Sequence, residues 1–210
     1  MDLKSIPQLY QIAFRHGRSW RFEEDTIYFS VSRAGVLRLP SGRIVACDPL
    51  VSGSREPFVQ GVPPGRYPVD LALARRDEEK EERIVLARVL FTKNAPVMWV
   101  RALGAKKPQE TAENAEGAGY VVTTGTGAFM DAEAASLFHL DTIDDVDRIL
   151  DDLMANYRPV RNWLEHAIDE RHNVILFTSG FETDSYPSYF AIDAGGDICL
   201  LVSVCWTDLL

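Results

Sequence analysis

The residues of this chain whose types could do chemistry are Arg88, Arg101, Ser179, Glu182, Asp184, Tyr186 and Asp193. Most of them fall in one short stretch, FTSGFETDSYPSYFAIDAGGD (177–197). Paired carboxylates such as Glu182 with Asp184, or Asp193 with Asp197, could exchange protons or hold a calcium ion through oxygen. The simpler reading is that these acids bond turn amides. Ser179 follows a predicted strand, as nucleophiles often do. The G-x-S-x-G elbow, however, needs glycine two residues before the serine, where Phe177 stands. Arg88, Arg101 and Asp70 each interrupt an otherwise apolar strand. If buried they must be paired, either as a structural ion pair or as the floor of a pocket for an anionic group.

Metal and phosphate chemistry find less support. His16, His139, His166 and His172 are scattered, and no CxxC, HxH or HExxH occurs, so no metal site is expected. His166 and His172 read as surface histidines on either side of a helix end. TTGTGAF (123–129) lacks the Gly-Lys-Ser/Thr of a P-loop and the spacing of G-x-G-x-x-G. It reads as a bend or bulge, and no cofactor is expected.

These residues must be positioned by a core, and composition allows one. The chain has 210 residues, 46% hydrophobic and 25% charged, with a formal charge of −9. That length predicts one domain over residues 1–210 with a core of its own. The acidic balance argues against nucleic acid; it would suit a basic protein partner, but the simpler reading is that it keeps the protein soluble. No signal peptide and no membrane-spanning run are read from the sequence, which predicts a cytoplasmic protein; the oligomeric state stays open. Cys199 and Cys205, on one face of a single strand, would lie roughly 20 Å apart and cannot form a disulfide.

The predicted elements begin with a short helix carrying Leu9, Ile12 and Ala13, capped by Ser5. Strands follow at TIYFSVS, GVLRLP, GRIVACDP and RYPVDLALAR, with SGSREPFVQGVPPG as a loop and RDEEKEE as a hairpin tip. RIVLARVLF and PVMWVRALG read as a hairpin, with Phe91 opposite Val97 and Arg88 opposite Val100. Residues 104–118 read as a flexible loop. YVVTTGTGAFMD returns to strand, and Asp131 caps AEAASLFHL. DDVDRILDDLMANY is the clearest helix, with Val146, Ile149, Leu150, Leu153, Met154 and Tyr157 at helical spacing and Thr142 and Asp145 as a capping box. NWLEHAIDERH reads as another helix, capped by Asn162. NVILFT, SYFAID and ICLLVSVCW are strands. The last is central and covered on both sides, joined to SYFAID by a turn with Gly195 and Gly196 at positive φ. Together these predict an α+β fold: a mainly antiparallel, twisted sheet with two or three helices, from the second half of the chain, packed on it.

The order of S-G-x-x-x-x-x-D-P (Ser41 to Pro49), P-G-x-Y-P-V (Pro64 to Val69), G-T-G-x-F-M-D (Gly125 to Asp131) and the Tyr-Pro segment with its closing hairpin resembles the bacterial family known as domain of unknown function 4241. The resemblance covers roughly residues 41–204. Similar sequences commonly carry an acid where this chain has Thr123 and Thr124, and glycine around the acid before Tyr-Pro, where it reads GFETDS. The family brings no established activity. The leading reading is a non-enzymatic binding module, its anchors the aromatics Phe177, Phe181, Tyr186, Tyr189 and Phe190. An immunity-like protein that neutralises a basic toxin is its specific version. The alternative is a hydrolase or small-ligand enzyme, with a site where the TGTG and SGFETD loops and the Asp193–Asp197 turn converge near Arg88 or Arg101.

Overall fold

The structure, a computed structural model, describes residues 5–15, 17–22, 25–51, 55–77, 79–104, 119–140, 142–155, 161–178 and 184–205. Along the chain run α1 (Ile6–Ala13), β1 (Ser19–Phe22), β2 (Asp25–Leu39), β3 (Arg43–Cys47), β4 (Pro57–Gly61), β5 (Gly65–Arg76), β6 (Arg83–Leu90), β7 (Pro96–Arg101), β8 (Tyr120–Val122) and β9 (Thr126–Asp131). Then come α2 (Ala132–Leu137), α3 (Ile143–Ala155), β10 (Trp163–Ala167), β11 (Asn173–Thr178), β12 (Asp184–Tyr186), β13 (Ser188–Asp193) and β14 (Ile198–Val204). The fold is α+β and mostly antiparallel sheet. Seven strands form one sheet in the order β1-β2-β5-β6-β14-β13-β7, and five form a second, β10-β11-β9-β3-β4. The short pair β12-β8 stands apart.

Three apolar layers explain the arrangement. The middle layer lies between the sheets, where Leu37, Leu71, Val89 and Leu201 meet Ile44, Phe129, Ile175 and Phe177. On the far side of the large sheet, Ile6, Leu9 and Ala13 of α1 cover Ile27, Phe29, Ala72, Leu200 and Val202. On the far side of the small sheet, Phe138, Ile149 and Leu153 cover Val45, Met130, Val174 and Leu176. Sheets apolar on both faces need this double cover. β14 lies between β6 and β13 and is buried on both sides, as its sequence predicts. Cys47, Cys199 and Cys205 are buried, and no disulfide joins them. No described helix is long and apolar enough to cross a membrane.

Several local readings need correction. TIYFSVS and GVLRLP are one strand, β2, with an irregularity between Arg33 and Gly35. The extra residue switches the side-chain parity, so Ile27 and Phe29 face α1 whereas Leu37 and Leu39 face the other sheet. The predicted loop at 52–65 contains β4. β6 and β7 do not form a hairpin: the β13–β14 pair is inserted between them, so Arg88 faces Asp70 and Val202 rather than Val100. β6 is apolar on both faces and needs a neighbour along each edge. β7, with Val97 and Met98 exposed, suits the sheet margin. WLEHA is strand β10, not helix, paired with β11 from Trp163↔Phe177 to Ala167↔Asn173.

Helix positions are corrected in part. α1 from the start of the chain joins α2 and α3, and Ser5 makes no side-chain cap bond. Asp131 does cap α2, accepting from the Glu133 amide. Thr142 and Asp145 bond reciprocally, Asp145 N to Thr142 Oγ1 at 3.2 Å and Thr142 N to Asp145 Oδ2 at 3.3 Å. In the β13–β14 turn only Gly196 takes a positive φ, 89°. Of the loop predicted at 104–118, all but Gly104 lies outside the described residues.

Candidate functional site: a row of charge across the large sheet

Strand register lines up the charged interruptions. Reading across the large sheet, Arg101 pairs with Tyr189, Tyr189 with Val202, Val202 with Arg88, Arg88 with Asp70, and Asp70 with Arg33. Directly paired residues share a face, so all six point to the side covered by α1. Asp70 is 5% exposed and accepts from two arginines. Arg88 reaches its Oδ2 through Nη2 at 2.9 Å and Nε at 3.2 Å. Arg33 bonds Oδ1 from the other side. Two guanidinium groups therefore share one carboxylate.

Helix α1 closes over this row. The Arg88 Nη1 donates to the Tyr10 hydroxyl at 2.9 Å. Its guanidinium lies 4.0 Å from the Phe14 ring centroid and 5.7 Å from that of Tyr10, both favourable for a cation. Burial pushes the Tyr10 phenol pKa up, opposed by Arg88, so the hydroxyl keeps its proton. Arg101 lies over the Tyr189 ring at 5.8 Å. A guanidinium has five N–H donors. Three of those on Arg88 are engaged by Asp70 and Tyr10, which leaves two directed elsewhere.

Tyr10 and Arg88 form a wall common to two clefts. The larger, of about 480 Å³, is open to solvent and lined by Arg66, Tyr67, Phe91, Lys93, Asn94 and Leu200 among others. The smaller, of about 320 Å³, adds Gln11, Phe14, Arg15 and Pro96. Among the described residues lining the two clefts, none is acidic. Arg66 and Lys93 are exposed at the rim, and Tyr67 meets Phe91 edge to face at 5.1 Å. In a chain of formal charge −9 this is a local cationic hollow with aromatic walls.

The other sequence-derived candidates lie elsewhere. Asp193 organises its own turn: Oδ1 accepts the Gly195 amide at 2.8 Å and the Asp197 amide at 3.1 Å, and Asn94 donates to Oδ2 at 2.6 Å. The Asn94 bond, aided by the turn amides, holds the carboxyl below its ordinary pKa. Tyr186 is fully buried against Tyr120. Asp184 sits in β12 opposite Val122. Ser179 and Glu182 lie outside the described residues. Asp184 is thus beside the TGTG bend, while Asp193 is at the far end of β13, so these two acids lie apart. Phe177, Tyr186, Tyr189 and Phe190, read as interface anchors, are core residues at 0–1% exposure; Phe181 lies outside the described residues.

The motifs that carry the family resemblance turn out to bond to one another. Asp131 at the end of G-T-G-x-F-M-D is fully buried and accepts Ser41 N at 3.0 Å and Ser41 Oγ at 2.8 Å. Asp48 accepts the amides of Thr123 at 2.8 Å and Thr124 at 2.9 Å, the Thr124 hydroxyl at 2.9 Å and the Leu50 amide at 3.0 Å. Gly42 has φ +71°, and a Cβ there would come 2.1 Å from the Val62 carbonyl oxygen. Gly127 allows Phe177 and the Tyr120 hydroxyl to approach its Cα. These residues tie the small sheet to its loops.

His172 corrects the surface reading of that histidine. Its side chain is 7% exposed, with Nδ1 2.8 Å from Asp169 and Nε2 3.2 Å from Glu133. The hydrogen bond to Asp169, with help from Glu133, raises its pKa above the ordinary 6.5. A raised pKa means that the folded state favours the imidazolium. The stabilisation is full below about pH 6.5 and is lost as pH climbs through the raised value. The stability gap between the natural chain and His172→Gln should therefore be wider at pH 6 than at pH 8.5 in urea titrations; a gap independent of pH would contradict the clamp.

No curated protein and no solved structure matches the chain. A family profile does match, over residues 37–203, and the span takes in the bonded pairs Ser41–Asp131 and Asp48–Thr124 as well as Asp70 and Arg88. The chain belongs to the family described as protein of unknown function (DUF4241).

Proposed function

We propose that the chain is a non-catalytic binding protein and that the cleft over Arg88 receives the anionic end of a small ligand with an apolar body. One observation carries this reading: two arginines share one buried carboxylate, that of Asp70, and the described lining of the adjoining cleft adds Arg66 and Lys93 with no acid. The two uncommitted Arg88 N–H groups are suited to a carboxylate or phosphate. Tyr10, Tyr67 and Phe91 offer ring faces and edges to the rest of the ligand. The cleft is open, so the affinity expected is modest.

The enzyme alternative rests on Asp184 lying opposite Val122, beside the TGTG bend. Against it, the Thr123 and Thr124 amides and the Thr124 hydroxyl, at the start of that bend, are turned inward to Asp48. A basic protein partner, of which an immunity-like role is one version, draws instead on α3 and is argued below.

Thermal denaturation with phenyl phosphate, benzoate and sulfate at constant ionic strength tests the cleft. A ligand with a Kd of about 1 mM at tenfold excess contributes about 1.4 kcal/mol, a rise of about 3 to 6 °C for a chain of this size. Phenyl phosphate should exceed sulfate, and Arg88→Met or Arg66→Gln/Lys93→Gln should remove the rise. Equal shifts in the parent and in the rim variant, whose changed residues are both exposed, would refute the assignment.

A further inference from the structure

Helix α3 carries a surface that the cleft does not use. Its sequence, IDDVDRILDDLMA, holds five aspartates and one arginine. Ile149 and Leu153 are buried against the small sheet. Yet Ile143, Leu150 and Met154 are 79%, 38% and 56% exposed. At about 100° per residue these three fall within an arc of about 40°. They make one apolar stripe roughly 16 Å long. Asp147 and Asp151 border it on the solvent side, with Asp144 just beyond, and all three are exposed. Asp145 is engaged by Thr142 and Arg148 and lies on the opposite flank.

From this stripe we infer that α3 is a docking surface for a basic amphipathic helix of a partner protein. The apolar anchors are spaced i, i+7, i+11 along one helical face, which matches a helix laid alongside. The acidic border selects the occupant. Lysine or arginine flanking the partner's apolar face would meet the aspartates, a complementarity that steers encounter and weakens with salt. A second copy of this chain would set two acidic borders against each other. An anionic lipid surface would be repelled in the same way. A basic helix is the occupant that gains from both the stripe and its border.

Fluorescence anisotropy with the full chain tests this. The probe is a labelled fourteen-residue helical peptide with leucines at i, i+3, i+4, i+7 and lysines elsewhere; its control is a scrambled peptide of the same composition. The patterned peptide should bind at least tenfold more tightly than the scrambled one. Raising NaCl from 50 to 300 mM should weaken it several-fold. Leu150→Ser/Met154→Ser should erase the preference for the patterned peptide while leaving the melting temperature within about 4 °C, since neither side chain is buried. Asp147→Asn/Asp151→Asn should weaken binding and flatten the salt response, whereas Asp77→Asn/Glu81→Gln, off the helix, should change neither. Equal affinity for both peptides, or a preference that survives in the Leu150/Met154 variant, would overturn the proposal. So would self-association in sedimentation that is abolished by that variant, because the stripe would then belong to a second copy.

Discussion

Replacing Asp70 with asparagine is expected to lower stability by about 3 kcal/mol while making the protein more responsive to anions. Breaking a buried pair by removing one partner typically costs about 3 to 5 kcal/mol, because a charge is left buried and unmatched. The lower end applies because the Arg88 side chain keeps 16% of its surface exposed and Arg33 is 55% exposed. A drop of about 6 to 12 °C in melting temperature is the corresponding observable. With the internal carboxylate neutralised, Arg33 and Arg88 lack an acid, so phenyl phosphate or sulfate should recover a larger fraction of stability in Asp70→Asn than in the natural chain. A variant that is destabilised but indifferent to anions would mean that the row serves only to hold the strands. The double change Arg88→Met/Asp70→Leu should return most of the lost stability, because replacing both partners by apolar groups is often close to neutral, and should abolish the anion response.

The second large effect concerns the family motifs. Asp131→Ala removes the acceptor for the Ser41 amide and hydroxyl and for the Glu133 amide, which lies at 2.7 Å. Hydrogen bonds to a charged group contribute about 1.5 to 3 kcal/mol taken singly and the lost α2 cap about 1 kcal/mol, and losses at one carboxylate add up to less than their sum. A loss of about 3 to 5 kcal/mol is expected, read in urea denaturation. Asp48→Ala should fall in the same range, since three amides and a hydroxyl lose their acceptor. In both variants the protein that remains folded should bind phenyl phosphate as the natural chain does. Retained stability with lost binding would make these acids part of a site and would restore the enzyme alternative.

Much of the frame could be read locally. β14 announces itself through ICLLVSV, apolar on alternate and intervening positions alike, and such a strand requires cover on both faces. The reciprocal bonds of Thr142 and Asp145 and the Asp131 cap follow from side-chain types at fixed spacing. What sequence could not supply is non-local. WLEHA contains good helix formers behind an asparagine, yet its pairing with β11 decides its state. The supposed β6–β7 hairpin had a suitable turn, but chain proximity cannot reveal that β13 and β14 enter between its arms.

The same limit explains the candidate site. That Arg88, Arg101 and Asp70 would be partnered if buried followed from the cost of isolated buried charge. That they share one row with Arg33 depends on five strand registers, linking residues more than a hundred positions apart. Arg33 gives no such signal in the sequence, because the β2 irregularity hides its parity. Tyr10 and Phe14 give a different signal, two aromatics four residues apart on a short helix and its C-cap, which marks a face without naming what it covers.

The most direct test of the cleft is to follow the arginine side-chain Nε–H resonances by NMR during titration with phenyl phosphate. The account predicts saturable shifts of Arg88 and Arg66, with Arg38 and Arg55, which are bonded to backbone carbonyls elsewhere, unmoved. Uniform small shifts over all arginines, or none at Arg88, would contradict it.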